Sequence, residues 1–190
     1  LATIIYTSGT TGTPKGVMLS HQNIVGNVFK TAQALNVSEG HKRILSYLPI
    51  CHIFERAASY YYQYLGYQIH FAESIELLGD NIREVKPHFL AVVPRLLEKI
   101  FDKIVDKGSQ LKGIKKVLFF WAIALGEQYQ PYGKNGAFYT FKLRLARKLI
   151  FSKWQAALGG NLEFMLSGSA PMQDRLIRVF LAAGIPVFEG

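Results

Sequence analysis

Short apolar runs alternate with longer amphipathic segments along this chain of 190 residues. Apolar runs bounded by Gly, Pro or Ser/Thr-rich loops predict strands, and apolar residues that recur every three or four positions predict helices. Strands are expected at residues 3–6, 43–48, 67–71, 89–93, 162–166 and 185–188. Helices are expected at 21–35, 53–65, 75–85, 94–105, 112–128, 138–158 and 172–183, the first of them capped by Ser20. This alternation predicts an α/β fold with a mostly parallel sheet and flanking helices.

The composition excludes several classes of protein. Hydrophobic residues make up 49% of the chain and charged residues 18%, which favours a packed core over a disordered or fibrous chain. The single cysteine, Cys51, excludes an internal disulfide framework and a cysteine-built zinc site. A central apolar run at 117–125 is far shorter than the roughly 20 residues of a membrane-spanning helix. A cytoplasmic protein is expected, and peripheral contact with the inner face of a membrane is compatible with this expectation.

The positive charge is concentrated in one part of the chain. Residues 95–155 contain 13 Lys and Arg against 4 Asp and Glu, so this segment carries the whole formal net charge of +9. A solvated helical face explains such a segment, and so does binding to nucleic acid, phospholipid headgroups or a phosphorylated substrate. Four apolar residues in it follow helical spacing between basic residues: Phe138, Phe141, Leu145 and Leu149. They predict either core packing or an amphipathic surface that rests on anionic lipid.

Residues 6–16, with the sequence YTSGTTGTPKG, carry the strongest chemical signal. Its glycines let the backbone approach an anion, its hydroxyls donate hydrogen bonds, and Lys15 supplies a positive charge. It is not a P-loop, because Pro14 and Gly16 stand where that motif needs Gly and Ser/Thr. We expect a phosphate-binding loop between a buried strand and a helix, built from Thr7, Ser8, Gly9, Thr10, Thr11, Gly12, Thr13 and Lys15.

The neighbours Cys51 and His52 suggest a nucleophile pair at first sight. Adjacent residues on an extended segment point to opposite faces, so a catalytic pair is disfavoured. A hydrogen-bonded, partly buried His52 is the structural alternative. Glu55 and Arg56 are interpreted as a charge at a helix start and its local ion partner. No metal site is predicted, because the histidines fit no familiar ligand spacing.

Three segments resemble the adenylate-forming superfamily, which includes acyl-CoA synthetases, peptide-synthetase adenylation domains and luciferases. TSGTTGTPKG resembles its phosphate-loop signature, and LPICHIFER at 48–56 resembles the second core motif of long-chain acyl-CoA synthetases. SGSAP at 167–171 and VFEG at 187–190 resemble the adenine-side loop and the strand that leads to the next core motif. The chain is therefore identified as a member of the long-chain fatty acid–CoA ligase branch.

The resemblance implies a two-step reaction. A carboxylate and ATP form an acyl-adenylate and pyrophosphate, and coenzyme A then displaces AMP. The phosphate loop would hold the β- and γ-phosphates, with Ser8, Thr10, Thr11 and Lys15 as the main contacts. His52 would border the meeting point of the acyl and coenzyme A channels, and it joins Lys15 and Thr10 as a catalytic candidate. The adenine side would be formed by Gly168, Ser169, Ala170, Glu189 and Gly190.

The family pattern extends beyond this sequence. The chain is expected to be the central fragment of the large N-terminal AMP-binding domain, with a basic helical insertion at about 95–158. The main Mg²⁺ ligand and the mobile C-terminal domain are expected outside the fragment. We therefore expect the 190 residues alone not to catalyse the full reaction.

Two alternatives remain open at this stage. Within the superfamily, the substrate could be an aryl or short-chain acid or an amino acid. In a different class, the chain could be a non-enzymatic basic module that binds lipid or nucleic acid. The ligase interpretation expects a long-chain fatty acid, ATP and coenzyme A as partners, and no nucleic acid.

Overall fold

The structure, a computed structural model, describes residues 1–7, 12–35, 40–168 and 170–189. Its centre is a five-stranded sheet in the order β4-β3-β5-β6-β7, in which all neighbouring strands are parallel. The strands are β3 (Arg43–Ser46), β4 (Gln68–Phe71), β5 (Phe89–Val92), β6 (Phe164–Ser167) and β7 (Val187–Glu189). The predicted α/β fold with a parallel sheet is confirmed.

Alternate residues of the strands enter two separate hydrophobic cores, as the two-residue period of a strand requires. The core on one face contains Ile44, Phe89 and Phe164. The core on the other contains Leu45, Leu90 and Met165. Helices α1 (His21–Leu35) and α2 (Ile53–Tyr64) cover the first face.

The second face is covered by a larger group of helices, which includes the basic segment predicted as an insertion. Four of its α-helices lie between β5 and β6 in the chain, and the two strands still pair directly. The helices are α3 (Leu78–Val85), α4 (Pro94–Ser109), α5 (Ile114–Glu127), α6 (Gly136–Ala146), α7 (Ser152–Ala157) and α8 (Asp174–Ala182). Among the described residues, no helix is long and apolar enough to cross a membrane.

The segment predicted as one helix at 138–158 is helical but not uniform. A π-helical segment (Arg147–Phe151) joins α6 to α7 without a break in the chain direction. The extra backbone residue in such a turn rotates the side chains that follow, and periodicity in the sequence does not reveal it. The start of α1 is as expected, because the Ser20 Oγ accepts a hydrogen bond of 3.1 Å from the Asn23 backbone N–H.

The phosphate loop does not lie between a buried strand and a helix, so that prediction was wrong. It connects β1 (Thr3–Thr7) and β2 (Lys15–Leu19), which form an antiparallel hairpin apart from the main sheet. β1 is largely exposed, with Tyr6 at 72%. The sequence does not reveal β2, because a five-residue strand next to Gly and Pro is defined by its partner rather than by its own pattern.

Candidate active site

The parallel strands bring several polar residues to one edge of the sheet. The carboxyl ends of neighbouring strands meet there, because Val92 pairs with Ser167 and Ser167 with Glu189. Ser46 ends β3 at the same edge. In open α/β sheets this edge is where ligands bind. The SGSAP and VFEG segments therefore lie side by side, although 15 residues separate them in the chain.

Close packing at Gly168 joins the adenine-side loop to α2. A Cβ atom at this position would overlap the ring of Phe54, which is the second residue of α2. The Gly168 N–H donates to the Val92 carbonyl at 3.2 Å, so the loop is also tied to β5. The sequence predicted both segments as site components, and the structure brings them together through a contact that only glycine permits.

Glu189 acts as a support for the loop opposite. Its Oε1 accepts a hydrogen bond of 2.7 Å from the Met172 backbone N–H, just before α8. Ala170 is exposed at the same loop. The candidates Ser169 and Gly190 lie outside the described residues. The carboxylate of Glu189 is thus engaged within the protein.

His52 stands at the N-terminal boundary of α2, where it is exposed. Its backbone carbonyl accepts the Arg56 N–H at 3.1 Å, but its side chain makes no hydrogen bond with any described residue. The alternative of a hydrogen-bonded, partly buried histidine was therefore wrong. Cys51 is also exposed.

Glu55 is the residue whose environment differs most from its prediction. It is 1% exposed, accepts a hydrogen bond from the Ser46 Oγ, and makes no ion pair with Arg56. The Arg56 Nε donates instead to the Ile50 carbonyl at 3.2 Å. Burial raises the pKa of the Glu55 carboxyl, and the Ser46 hydrogen bond opposes that shift. Its predicted position at the start of a helix is confirmed, since it lies in the first turn of α2, but the predicted ion pair with Arg56 was wrong.

Polar atoms without partners surround this buried carboxyl and the strand ends. The Glu55 Oε2, the Tyr47 hydroxyl and the Ser167 Oγ are buried, and none has a hydrogen-bond partner among the described residues. Burial, and secondarily the Glu55 carboxyl, raise the pKa of the Tyr47 hydroxyl, which therefore stays protonated. Unpaired buried groups cost free energy, so this edge favours binding of water or a polar ligand.

The phosphate hairpin places Thr7 opposite Lys15 at its loop end. The Thr7 Oγ1 donates to the Lys15 carbonyl at 3.5 Å, and the Lys15 side chain is exposed. Gly12 has a φ of +80° and Thr13 is exposed, while Ser8, Gly9, Thr10 and Thr11 lie outside the described residues. No hydrogen bond between described residues links this loop to Gly168 or Glu189.

The other end of the hairpin adjoins α2. Leu19 lines a groove of about 190 Å³ together with Ile53, Arg56 and residues of α1. Lys15 lies four residues along β2 from Leu19, a span of about 13 Å at strand rise. The Leu19 end of the hairpin therefore lies beside the start of α2, and the Lys15 end lies further away from it.

A larger apolar cavity lies between the sheet and the helices α1 and α2. Its volume is about 430 Å³, within the range of small-molecule sites. One end reaches Phe54 and Glu189 at the carboxyl edge, and aromatic side chains form much of the wall. Tyr61, Tyr62 and Tyr67 are buried in the core on this face of the sheet, and Tyr61 and Tyr62 also line the cavity.

The described residues contain no group of three or more His, Cys, Asp or Glu side chains arranged to hold a metal ion. Sequence reasoning missed Ser46, Phe54 and Glu55 as parts of the site. Ser46 and Glu55 belong to different elements, and their contact across the strand–helix connection leaves no mark in the sequence. For Phe54, the sequence offered one indirect signal, which was Gly168. A glycine directly after a strand indicates that another group approaches the backbone closely.

Comparisons with known proteins agree on one family. The profile of the AMP-binding enzyme family matches residues 1–190. Human long-chain-fatty-acid–CoA ligase ACSBG2 is 34% identical over 99% of this chain, and rat long-chain-fatty-acid–CoA ligase 5 is 37% identical over 100% of this chain. The chain spans only 29% and 27% of these two proteins. The adenylation domain of a carboxylate reductase from Mycobacterium chelonae has the same fold, with a TM-score of 0.66, 22% identity, and coverage of 98% of this chain and 26% of that one.

The buried carboxyl of Glu55 predicts a pH-dependent stability. Its folded pKa lies above 4.5, so the native state binds more protons than the unfolded state above that pH. This group's contribution to the free energy of unfolding therefore falls as pH rises from about 4.5 through the folded pKa. Glu55→Gln removes that fall, so the variant gains stability relative to wild type with rising pH. Denaturant unfolding of both proteins between pH 4 and 9 measures the difference.

Glu84→Gln is the matched control, because it removes an exposed carboxyl from α3. It should leave the difference from wild type independent of pH. A constant difference between Glu55→Gln and wild type over the whole range would contradict the buried, proton-retaining carboxyl.

Proposed function

Because the chain belongs to the AMP-binding enzyme family, we propose that the protein carrying it is an AMP-forming long-chain fatty acid–CoA ligase. A fatty acid carboxylate attacks the α-phosphorus of ATP and releases pyrophosphate. The thiolate of coenzyme A then attacks the acyl carbonyl and releases AMP. The chain is proposed to be a central part of the AMP-binding domain, and assays of activity use the whole protein.

The apolar cavity under α1 and α2 is the observation that carries the choice of a fatty acid. It is lined mainly by apolar and aromatic side chains, and it ends at the carboxyl edge, where a reacting carboxylate would meet ATP. An aliphatic chain in this cavity exchanges contact with water for contact with Phe89, Phe164 and Tyr62. The two ligases reported above, which act on long-chain fatty acids by name, support the same substrate class.

The carboxyl edge is proposed to bind the nucleotide. The loop at Gly168, Ser169 and Ala170 and the end of β7 at Glu189 and Gly190 would contact the adenine through backbone atoms. The packing of Phe54 on Gly168 and the hydrogen bond from Met172 to Glu189 fix these two segments before ATP arrives. Such preorganisation lowers the entropy cost of binding.

The hairpin loop is proposed to hold the β- and γ-phosphates. The residues involved would be Thr7, Ser8, Gly9, Thr10, Thr11, Gly12, Thr13 and Lys15. Thr10 and Lys15 would stabilise the charge that moves to the leaving pyrophosphate, and His52 would border the entry of coenzyme A. The Mg²⁺ that would accompany ATP is proposed to take its main ligand from a part of the protein outside this chain, as the resemblance to the family implies.

The choice of acid is tested by ATP–pyrophosphate exchange on the whole protein with acids from acetate to stearate, benzoate and the amino acids. Wild type should be most active with long aliphatic acids. Ala57→Phe inserts a ring into the cavity wall and should move the optimum to shorter acids, with kcat/KM falling about fourfold for each methylene excluded. Ala156→Phe is the control, because Ala156 is exposed on α7 and should not change the profile.

Exchange only with aryl acids or amino acids would support an adenylating enzyme but would contradict the proposal that its substrate is a fatty acid. Absence of exchange with every acid would overturn the enzymatic function. If Ala57→Phe left the chain-length profile unchanged, the cavity would not be the site that binds the acyl chain.

Lys15→Ala tests the phosphate loop. Removal of the ammonium group should lower kcat/KM for pyrophosphate exchange roughly a hundredfold, the scale found for loss of one electrostatic contact to a transition state. Since Lys15 is exposed, the thermal unfolding midpoint should stay unchanged. Lys30→Ala, which removes an exposed lysine from α1, is the matched control and should retain full activity. Full activity of Lys15→Ala would refute the assignment.

A further inference from the structure

The continuous helical unit from α6 to α7 carries large apolar side chains on a surface that nothing in the structure covers. Their exposed fractions are 72% for Phe138, 67% for Phe141, 43% for Leu145 and 39% for Leu149. Spacings of three, four and four residues place them along one side of a helix. We call these four residues the outer apolar row. They are not the core positions that one interpretation of the sequence assigned to them.

The other side of the same unit is fixed to the protein. Leu143, Ala146, Ile150 and Trp154 are buried in the larger core. Arg147 anchors the π-helical segment by donating from its Nε to the Ala182 carbonyl at 2.8 Å. Two sides of one helical unit are therefore apolar, and only one of them packs against the fold. The outer apolar row is held facing away from the core.

Basic residues flank the outer apolar row. Arg144, Lys148 and Lys153 are exposed, and the Lys142 Nζ lies 4.3 Å from the centre of the Phe138 ring. Residues 112–158 contain nine Lys and Arg and one acidic residue, Glu127. That carboxylate is paired with Arg175 of α8 at 2.7 Å. The surface around the row is therefore almost purely positive.

Helix α5, which neighbours this helical unit, carries the same combination of residues. It contacts both α6 and the π-helical segment. Its first turns expose two apolar residues, Ile114 at 74% and Val117 at 67%. Between them stand Lys115 and Lys116, which are also exposed. The combination of bulky apolar and basic residues therefore continues on the neighbouring helix.

From this arrangement we propose that the outer face of α6, the π-helical segment and α7 binds the surface of an anionic lipid bilayer. The outer apolar row enters the boundary between headgroups and acyl chains, and the flanking lysines and arginines contact lipid phosphates and carboxylates. The helical unit lies in the plane of the interface. The proposal does not depend on the proposed ligase activity.

Other partners fit this surface less well. A second copy of the chain would bring the same positive charge against it, which is repulsive. Double-stranded nucleic acid would bind the basic residues through its phosphates but would leave Phe138 and Phe141 without a role, because the bases of a duplex are stacked on one another. An anionic bilayer is the partner that uses both the charges and the apolar side chains.

Co-sedimentation of the whole protein with vesicles tests the proposal. Binding to phosphatidylcholine vesicles that contain 30% phosphatidylserine should be strong, and binding to pure phosphatidylcholine should be weak. The triple variant Lys142→Gln, Arg144→Gln, Lys148→Gln should weaken binding to the anionic vesicles roughly a hundredfold, since each basic residue contributes about 1 kcal/mol. The double variant Phe138→Ser, Phe141→Ser should weaken it at least tenfold.

Matched controls remove the same chemistry from other surfaces. Lys99→Gln, Lys103→Gln, Arg178→Gln removes three exposed positive charges from α4 and α8, and Ile75→Ser, Leu77→Ser removes two exposed apolar side chains near α3. Both controls should bind vesicles like wild type. Unchanged thermal unfolding midpoints verify that all four variants are folded. Lys15→Ala should also bind like wild type, so that loss of nucleotide chemistry is distinguished from loss of lipid binding.

Three results would overturn the proposal. The first is wild-type binding that is equal for anionic and neutral vesicles. The second is equal weakening by the charge variant and its control. The third is tight binding to double-stranded DNA that the Phe138→Ser, Phe141→Ser variant retains, together with no binding to vesicles, which would identify nucleic acid as the partner.

Discussion

The parallel pairing of the central strands is the constraint on which the rest of this structure depends. A parallel sheet needs a crossover connection between successive strands, so helices must cover both of its faces. The two cores around Ile44 and Leu45 follow directly from this requirement. The same pairing brings every strand's carboxyl end to one edge. The position of the candidate site is therefore a consequence of the fold rather than of any single motif.

Helix α2 connects the parts of the candidate site. His52 stands just before its first residue, and Phe54 packs against Gly168 at the carboxyl edge of the sheet. Glu55 accepts a hydrogen bond from Ser46 at the end of β3. Its next turns line the apolar cavity through Ala57 and Tyr61. One helix therefore contacts both the carboxyl edge of the sheet and the apolar cavity.

The sequence predicted the α/β fold and the strands of the main sheet, because strongly apolar runs such as 89–93 report local burial. It also predicted the segments around His52 and Gly168 through their resemblance to a family. It failed at β2, which exists through its pairing with β1, and at Glu55, whose burial depends on the contact of α2 with β3. The outer apolar row shows a further limit. Helical spacing identifies a shared side of a helix, but tertiary packing decides whether that side is inside or outside.

Hydrogen–deuterium exchange of the whole protein, with and without ATP and Mg²⁺, tests most directly whether the hairpin, the start of α2 and the sheet edge form one site. A single site predicts slower exchange in three segments at once: residues 7–16, 46–56 and 167–172. Addition of a long-chain fatty acid should extend the protection to the parts of α1 and α2 that line the cavity. Protection of the sheet edge without the hairpin, or no protection in any of the three segments, would contradict a single nucleotide and acyl site.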